Sequence, residues 1–454
     1  MAVDNLSRVS VENLTPEHMK SLVPSGRAHR SIYTDPALFE LEMDLIFEKT
    51  WVFVAHESEI PQPGDYKTTH IGRQPVIVTR SPSGEIAVLI NRCMHRGALV
   101  CRSETGNARN FRCIYHGWMY NSGDGRLVGV PFADAYVDSA FDKADFGLSA
   151  APRVGSYGGF IFASLSSDVE SLEDHLGGVR RYLDLLVDSS PDRQLNVVDK
   201  GSLKYMVPAN WKIQAENVLD GYHGPYTHET ALKMDAESWN IPDGYVASFP
   251  HGHGAVNLIL PETVELPDAE KFRALAQMPG GSDERGGALN ISGLRGMSDQ
   301  IKREYFVALV ESHGPERAAE VLGAAGMTIY VFPNLYIQPL NQHYRVFRPI
   351  AADQTEAEIV AYRLCGASEA WEQTMLMKVN GWATALGFGQ PEDVEVFASI
   401  QEALQARSVE WLDFSRGLHR ERLVDGAVTA SFDDETCMRG LHEEWLRLMS
   451  KEVV

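Results

Sequence analysis

The chain has 454 residues, 44% of them hydrophobic and 23% charged, and a net charge of −21. Its length exceeds what one hydrophobic core serves, so we expect at least two domains. The acidic balance argues against a nucleic-acid-binding protein, which would carry clustered basic residues. Five cysteines do not indicate a disulfide framework, and no apolar run suits a secretory signal or a membrane span. We therefore expect a cytoplasmic protein that binds neither nucleic acid nor membrane.

The chain is mostly polar up to residue 40 and then becomes rich in β-strand signals. The runs QPVIVTR and EIAVLIN are typical of strands, and SPSG between them suits a hairpin turn. We therefore expect residues 41–165 to form an all-β domain with cysteines and histidines in its loops. Residues 1–40 are expected to pack on the second domain, which follows the all-β domain in the chain.

The second domain, expected at 166–454, begins with a change of pattern near Ser171. Leucine and valine recur at spacings of four and three residues from Leu172 to Leu186, which predicts one helix. The runs MTIYVFPNLYIQPL and HYRVFRPI predict strands, and a stripe from Met438 to Leu448 predicts a C-terminal helix. The fold class is therefore α+β, with an all-β domain and a second domain that mixes strands and helices.

Three of the five cysteines lie in one short stretch, and two of them alternate with histidines. Cys93 is followed by His95 and Cys113 by His116, with 17 residues between the pairs. Structural zinc accepts two cysteines and two histidines, whereas a Rieske cluster takes two cysteines on one iron and two histidines on the other. Because each loop supplies one ligand of each kind, the spacing favours the Rieske cluster over zinc and over unrelated side chains. Cys101 breaks the paired spacing and is expected to be a buried apolar thiol.

The stretch CMHRGALVCRSETGNARNFRCIYHGW resembles the Rieske motif of bacterial aromatic ring-hydroxylating dioxygenases. The resemblance is to their large, or alpha, subunit, of the biphenyl, naphthalene and polycyclic hydrocarbon type. It implies that the two pairs hold a [2Fe–2S] cluster that transfers electrons. It also implies a catalytic domain of the helix-grip type, in which helices flank an antiparallel sheet.

A second group of chemically capable side chains lies in ANWKIQAENVLDGYHGPYTHE. Asp220 and His223 are three residues apart, so a helix would place them on one face. His228 is five residues beyond His223, and a kink or helix end at Gly224-Pro225 would swing it back. Two histidines and one carboxylate with open positions form the facial triad of non-haem Fe(II) oxygenases. Taken alone, two unrelated loop histidines remain an equal alternative.

The same stretch closely resembles the mononuclear-iron motif of the dioxygenase alpha subunits. The resemblance implies that His223 and His228 bind iron, and that the third ligand lies in GFGQPEDVEVFASIQ. There it indicates Asp393, although the neighbouring Glu392 leaves the choice between the two carboxylates open. It further implies that Asp220 connects His223 to the cluster ligand His116 of a neighbouring subunit.

The family resemblance also implies partners. A ring-shaped assembly is expected, with a small beta subunit in an α3β3 hexamer. NADH would supply electrons through a separate reductase and ferredoxin, because the chain has no reliable dinucleotide-binding motif of its own. O2 is the expected cosubstrate.

The substrate is the least determined property of the sequence. Candidate pocket residues, none of them cationic, are Asn217, Val218, Leu258 and Phe388. A buried carboxylate would need a cation or strong donors, so we favour an aromatic hydrocarbon such as biphenyl, naphthalene or a larger polycycle, converted to a cis-dihydrodiol. The alternatives are a hydroxylase of an aromatic acid such as salicylate or anthranilate, and a Rieske electron carrier without oxygenase activity.

Overall fold

The chain divides into two compact units. The small unit is Phe47–Leu172, and the large unit combines Met1–Ile46 with Glu173–Val454. The computed structural model describes residues 15–137, 139–198, 202–230, 243–259, 297–324, 326–384 and 387–451, with the backbone alone at Asp243, Leu258, Ile259 and Asp299.

The described residues form both helices and strands. The helices are α1 Pro16–Leu22, α2 Ser31–Thr34, α3 Pro36–Glu42, α4 Leu172–Leu176, α5 Arg180–Asp188, α6 Trp211–Asn217, α7 Gly224–Thr227, α8 Asp299–His313, α9 Pro315–Gly323, α10 Glu369–Ala383, α11 Gly389–Ala403 and α12 Thr436–Met449. The strands are β1 Arg27–His29, β2 Val52–His56, β3 Asp65–Ile71, β4 Gln74–Arg80, β5 Ile86–Ile90, β6 Thr105–Asn107, β7 Asn110–Arg112, β8 Met119–Asn121, β9 Leu127–Gly129, β10 Arg153–Tyr157, β11 Phe160–Ser164, β12 Leu195–Val197, β13 Leu203–Val207, β14 Asp243–Ser248, β15 Gly254–Ile259, β16 Met327–Val331, β17 Leu335–Gln338, β18 His343–Ala351, β19 Gln354–Leu364, β20 Trp411–Asp413, β21 Arg422–Val424 and β22 Ala427–Ser431.

The small unit is built from short antiparallel sheets, in the orders β5–β4–β3–β6, β7–β8–β9 and β10–β11–β2. The predicted hairpin is confirmed, because all of β5 pairs with residues 76–80 of β4. One hydrophobic core joins the cysteines to aromatic side chains of the same unit, including Trp118 and Tyr120. Cys101 is 8% exposed within that core, which agrees with the prediction of a buried thiol.

The large unit contains a long antiparallel sheet in the order β12–β19–β18–β17–β16–β15–β14–β22–β21, and β13 also pairs with β19. Helices α10, α11 and α12 contact this sheet. The predicted C-terminal helix is confirmed as α12, and Met438, Leu441, Trp445 and Leu448 are all buried. The predicted α+β class is thus confirmed in the described part of the chain.

A buried carboxylate connects the residues that precede the small unit in the chain to the rest of the large unit. Glu42, at the end of α3, accepts hydrogen bonds from the indole nitrogens of Trp211 at 2.8 Å and Trp445 at 2.7 Å. The Nζ of Lys212 lies 2.5 Å from the same carboxylate, and neither side chain of this ion pair is exposed. Glu42 therefore joins α3, α6 and α12 at one point.

The prediction of one continuous helix from Leu172 to Leu186 is wrong. The segment forms α4, a 3-10 turn at Gly177–Val179, and α5. Gly177 has a φ of 47°, a left-handed conformation that glycine adopts without strain and that interrupts an α-helix. The hydrophobic spacing nevertheless identified the inward side chains, since Leu176, Val179 and Leu183 are fully buried.

No helix in the ranges given above combines the length and the apolarity that crossing a membrane requires.

Candidate metal centres

The paired cysteines and histidines of the small unit lie on two loops with the same backbone pattern. In each loop the cysteine N–H donates to the carbonyl five residues later, and the N–H four residues later donates back to the cysteine carbonyl. The residues that close these turns are Gly97 and Gly117, with φ of 77° and 71°. An L side chain rarely adopts such angles, so glycine is required there. The two loops therefore present their ligands in similar ways.

This loop geometry separates the two kinds of ligand. Cys93 and Cys113 are each 2% exposed, whereas His95 and His116 are partly exposed and their ring centroids lie 4.5 Å apart. Trp118 stacks on His95 at 4.8 Å. Burial and then the neighbouring His116 lower the pKa of His95, which favours the neutral ring that metals bind. Two thiols on the inside and two imidazoles on the outside fit the two irons of a Rieske cluster.

The histidines of the large unit flank a very short helix. Helix α6 ends at Asn217, His223 immediately precedes α7, and His228 immediately follows it. The predicted break at Gly224-Pro225 is misplaced, because Pro225 lies in the first turn of α7, where proline is favoured. One helical turn between the two histidines brings their ring centroids to 5.4 Å.

Helix α11 brings the distant carboxylate to these histidines. Asp393 lies one turn from the start of α11 and is 5% exposed. Its Oδ1 is 3.3 Å from the Nε2 of His228 and 3.8 Å from the Nε2 of His223. One ligand atom from each of the three residues lies within 4.8 Å of the others. Two imidazoles and one carboxylate at this spacing suit a mononuclear iron.

Two further carboxylates contact the outer nitrogens of the same histidines. The Oε2 of Glu392 is 2.9 Å from the Nδ1 of His228, and the Oδ2 of Asp220 is 3.5 Å from the Nδ1 of His223. A carboxylate that accepts from Nδ1–H leaves the Nε2 lone pair free for a metal. Burial lowers the pKa of His228, but its contacts with Asp393 and Glu392 raise it overall. Glu392 and Asp393 thus lie on different edges of one imidazole.

The four candidate pocket residues lie in different surroundings. The Nδ2 of Asn217 is 3.4 Å from the Oδ1 of Asp393, and Val218, at the end of α6, is 9% exposed. Phe388 immediately precedes α11 and is 51% exposed. The side chain of Leu258 lies outside the described residues. Among the described residues, Asn217 is the one of the four with a side-chain hydrogen bond to a metal-binding candidate.

A buried arginine on the long sheet was not among the residues predicted from the sequence. Arg345 in β18 is 4% exposed. Its Nε donates to the Nε2 of His343 at 3.3 Å, and its guanidinium lies 5.2 Å from the ring centroid of Tyr336. Among the described residues, no carboxylate forms an ion pair with Arg345. His343 and Arg345 are two residues apart and therefore lie on one face of β18, and this spacing was the available signal, although it does not tell which layer that face contacts.

The register of the sheet places Arg345 on the face that the iron-site helices cover. Arg345 pairs with Ile359 of β19, and paired residues share a face. Ile359 belongs to a cluster that packs against α10 and includes Trp382. The Trp382 ring is 5.1 Å from that of His228. Arg345 therefore faces the same helix layer as the three metal-binding candidates.

Two more polar groups near Asp393 lack partners. The hydroxyl of Tyr205 and both polar atoms of the Gln390 side chain are buried without a hydrogen bond among the described residues. Burial raises the pKa of Tyr205 to about 12, with Arg345 lowering it and Asp393 raising it further. Gln390 lies three residues before Asp393 on the buried face of α11. Such unsatisfied groups are costly unless a ligand or water completes them.

Comparison with known proteins relates both units to characterised families. Residues 50–145 match the Rieske [2Fe-2S] domain, and residues 194–451 match the catalytic domain of the ring hydroxylating alpha subunit. The second match alone covers more than half of the chain.

Relatives and solved structures agree with these matches. The large subunit of anthranilate 1,2-dioxygenase from Acinetobacter baylyi is 34% identical over 445 residues, which cover 93% of this chain and 89% of the relative. The large subunit of 2-halobenzoate 1,2-dioxygenase from Burkholderia cepacia is 33% identical, with coverages of 86% and 80%. The structure of naphthalene 1,2-dioxygenase from a Rhodococcus species, bound to indole, superimposes with a TM-score of 0.79 at 29% identity, covering 98% of this chain and all of that one. The chain belongs to the alpha subunits of ring-hydroxylating dioxygenases, oxidoreductases that hold a Rieske [2Fe–2S] cluster and a mononuclear iron and use O2 as cosubstrate.

Proposed function

We propose that this alpha subunit adds both atoms of O2 to the ring of an aromatic carboxylate and yields a cis-dihydrodiol. The balanced reaction consumes the aromatic acid, one O2, two electrons and two protons, and releases no leaving group. NADH supplies the electrons through a reductase and a ferredoxin. The sequence alone favoured a hydrocarbon, and the relatives leave the choice between acid and hydrocarbon open.

The proposed iron ligands are His223, His228 and Asp393. When bound, the iron supplies the site at which O2 is activated. These three residues would hold the iron and leave part of its coordination to O2. Glu392 is assigned a supporting role rather than a ligand role, because its carboxylate lies against the Nδ1 of His228. Asp393 and His228 are buried, and this burial would limit the access of water to the reacting ring.

The proposed cluster ligands are Cys93, His95, Cys113 and His116. We assign residues 41–165 to the cluster domain and 166–454 to the catalytic domain, with 1–40 packed on the latter. The compact units and the two family matches support this division.

Asp220 is proposed to connect, by hydrogen bonds, the path along which electrons pass between neighbouring subunits. Its Oδ1 accepts from the N–H of Tyr222, and its Oδ2 faces His223. On another copy of the chain, the partner subunit's His116 would hydrogen-bond the same carboxylate. Tyr222 and Tyr226 beside it are 42% and 70% exposed, as an intersubunit contact requires.

The surface around the cluster loops supports this assembly. Ile114 is 61% exposed and Tyr115 57%, next to Met94 and Leu99 at 39% and 45%. Exposed apolar groups clustered at a functional loop mark a protein contact. We assign this surface to a second alpha subunit in an α3β3 hexamer. Alpha subunits of this family work with other subunits and with electron-transfer partners.

We assign the protein to the cytoplasm, because the supply of NADH and the five free cysteines favour that compartment.

The observation that carries the choice of an aromatic carboxylate is the buried charge of Arg345. A buried cation without a counter-ion is unfavourable, and a substrate carboxylate would compensate it. Burial and then Arg345 lower the pKa of His343 well below its ordinary value, so that ring is neutral. Its Nε2 accepts from Arg345, which leaves Nδ1 as a hydrogen-bond donor. Tyr205 and Gln390 add further donors near Asp393.

A hydrocarbon remains the second candidate. The likeness to naphthalene 1,2-dioxygenase favours it, since that enzyme is named for a flat apolar ring and its structure covers nearly the whole chain. In that case ordered water, rather than a carboxylate, would satisfy the donors around Arg345.

Product analysis separates the two candidates. The purified alpha subunit, with its small subunit, ferredoxin and reductase, is given NADH and either benzoate, 2-chlorobenzoate and anthranilate or naphthalene and biphenyl. We expect dihydrodiol formation, or the phenol or catechol derived from it, with the acids and little turnover with the hydrocarbons. Turnover restricted to the hydrocarbons would overturn the substrate assignment.

A matched pair of variants tests the role of Arg345. Arg345→Gln is expected to lower kcat/KM for the acid about 10- to 100-fold, since charged hydrogen bonds contribute about 1.5–3 kcal/mol. The control is Arg348→Gln, on the opposite face of β18, where Arg348 pairs with Glu356 at 3.0 Å. Iron content is measured in both variants. An equal loss in both, or none in Arg345→Gln, would remove Arg345 from substrate binding.

A further inference from the structure

Gln390 lies on the same side of α11 as Asp393, the proposed carboxylate ligand. It is the second residue of that helix and is 2% exposed. Residues three apart on a helix share a face, and the Oδ1 of Asp393 lies within 3.8 Å of the Nε2 atoms of both His223 and His228. The amide of Gln390 is therefore buried on the face of α11 that carries the carboxylate of the candidate iron site.

The side-chain amide of Gln390 is unsatisfied. Its Oε1 and its Nε2 are both buried, and neither bonds to any of the described residues. The other buried glutamine of α11 differs, since the Oε1 of Gln401 accepts from the N–H of Asn210 at 2.9 Å and its Nε2 donates to the carbonyl of Tyr33 at 3.3 Å. An unsatisfied buried polar group costs about 1–3 kcal/mol. Gln390 thus holds a donor and an acceptor that a ligand or ordered water would complete.

The chemistry of an amide restricts the group that would complete it. Its nitrogen donates, whereas its oxygen can only accept. A carboxylate has no hydrogen for that oxygen, and the cation proposed to bind the substrate carboxylate, Arg345, belongs to β18 rather than to α11. A hydroxyl group offers both a hydrogen and a lone pair, and an aromatic amine offers hydrogens for the amide oxygen. An amino or hydroxyl group therefore suits Gln390 better than a second carboxylate does.

We propose that Gln390 binds an amino or hydroxyl substituent on the ring of the aromatic acid, so that aminobenzoates or hydroxybenzoates are preferred to benzoate. The inference rests on the proposed function, because it requires the acid to lie at the iron site with its carboxylate at Arg345. Benzoate would leave both polar atoms of the amide unsatisfied, whereas a substituted acid would complete them. Gln390 is thus a residue that determines specificity, and it takes no part in the oxidation itself.

The ratio of kcat/KM between substituted and unsubstituted acids tests this role. The intact oxygenase, with its small subunit, ferredoxin and reductase, is given benzoate and each isomer of aminobenzoate and hydroxybenzoate. We expect the kcat/KM of the best substituted acid to exceed that of benzoate by about tenfold or more, because of the hydrogen bonds that benzoate cannot make. Gln390→Met keeps the length of the side chain and removes both polar atoms, so the ratio should fall to about one.

Gln401→Met is the matched control. It removes a buried amide from the same helix, but one whose hydrogen bonds are already made within the protein. Its stability should be lower than that of the parent, while its ratio of kcat/KM between the acids should be the same. Iron content is measured in both variants. An unchanged ratio in Gln390→Met, or an equal fall in Gln401→Met, overturns the proposal.

Equilibrium binding covers the case in which Gln390→Met does not retain iron. Dissociation constants of the parent protein for benzoate and for the substituted acids are measured without O2, so that no turnover occurs. At least one substituted acid is expected to bind about tenfold more tightly than benzoate, and equal constants for all of them contradict the role of Gln390. Equal turnover of benzoate and the substituted acids refutes this inference alone, whereas failure to turn over any aromatic acid refutes the proposed function.

Discussion

The small and the large unit build their proposed metal sites in different ways. The cluster loops come from one short stretch, and two similar turns with Gly97 and Gly117 shape both of them. The iron site takes His223 and His228 from either end of α7 and Asp393 from a helix far along the chain. The residues of the first proposed site are therefore close together in the sequence. Those of the second come together only when the sheet and helices of the large unit have folded.

The two sites also differ in their access to solvent. The cluster histidines are partly exposed beside apolar side chains such as Ile114. Asp393 and His228 are each 5% exposed. An electron-transfer centre must be reached by other proteins, whereas a site that oxidises an aromatic ring must limit water. The difference in burial matches the difference in task.

The largest expected effect comes from emptying the iron site alone. Asp393→Ala removes a proposed ligand, so mononuclear iron and activity should both be lost, while the red-brown cluster of the small unit remains. Iron and sulfide analysis should give about two irons and two sulfides per chain in place of about three and two. Loss of the cluster as well would show that the two sites are not independent.

Glu392→Gln is the control for the choice of carboxylate. Glu392 contacts the outer nitrogen of His228, and loss of such a partner costs about 10- to 100-fold in metal affinity or activity. The variant should therefore retain iron at saturating concentration and part of its activity. If Glu392→Gln loses iron and Asp393→Ala keeps it, the two roles are exchanged.

Cutting the proposed connection between the sites should have nearly as large an effect. Asp220→Ala should bind both metals and accept electrons at the cluster, but turn over at a small fraction of the parent rate. Stopped-flow absorbance of the cluster separates the two steps, because reduction by ferredoxin should be normal and reoxidation with substrate and O2 should be slow. Normal reoxidation would exclude Asp220 from the electron path.

The scaffold of the large unit should be sensitive at the buried pair of Lys212 and Glu42. Lys212→Met leaves the carboxylate buried without its cation, and we expect a loss of about 3–5 kcal/mol in the free energy of unfolding. The control is Lys204→Met, whose pair with Glu358 is partly exposed and should contribute less than about 1 kcal/mol. Urea unfolding measures both losses. Similar losses in the free energy of unfolding for the two variants would mean that the buried ion pair contributes no more to stability than the partly exposed one.

The comparison of the two units also explains what the sequence can predict. Spacing indicated the proposed cluster residues, and strand and helix patterns located β4, β5 and α12. Arg345 was missed because its position on the face that α10 covers depends on the register of β18 and β19, which no local pattern specifies. Among the predicted site residues, Asp393 came from family resemblance rather than from periodicity. The break at Gly177 was missed because hydrophobic spacing continues through the 3-10 turn.

The smallest effect concerns the stability of the small unit at low pH. Burial lowers the pKa of His56 to about 4, against the opposing charges of Glu59 and Glu57. The unfolded chain binds a proton at this histidine below its ordinary pKa of 6.5, and the folded chain does so only near pH 4. Stability should therefore fall as the pH drops from about 6.5 to about 4, by up to about 3 kcal/mol from this group.

His56→Gln removes that titration and should flatten the pH dependence of unfolding in this window, with no change above pH 7. Cluster absorbance during urea unfolding follows the small unit specifically, because the loops that carry Cys93 and Cys113 belong to it. The other titrating groups are the same in the variant and the parent, so their contributions cancel when the two free energies of unfolding are subtracted at each pH. If the free energies of unfolding of the variant and the parent run parallel from pH 7 to pH 4, His56 is not held neutral in the folded unit. A difference confined to this window would instead show that the small unit, although its ligand loops lie near the surface, depends on a core that excludes charge.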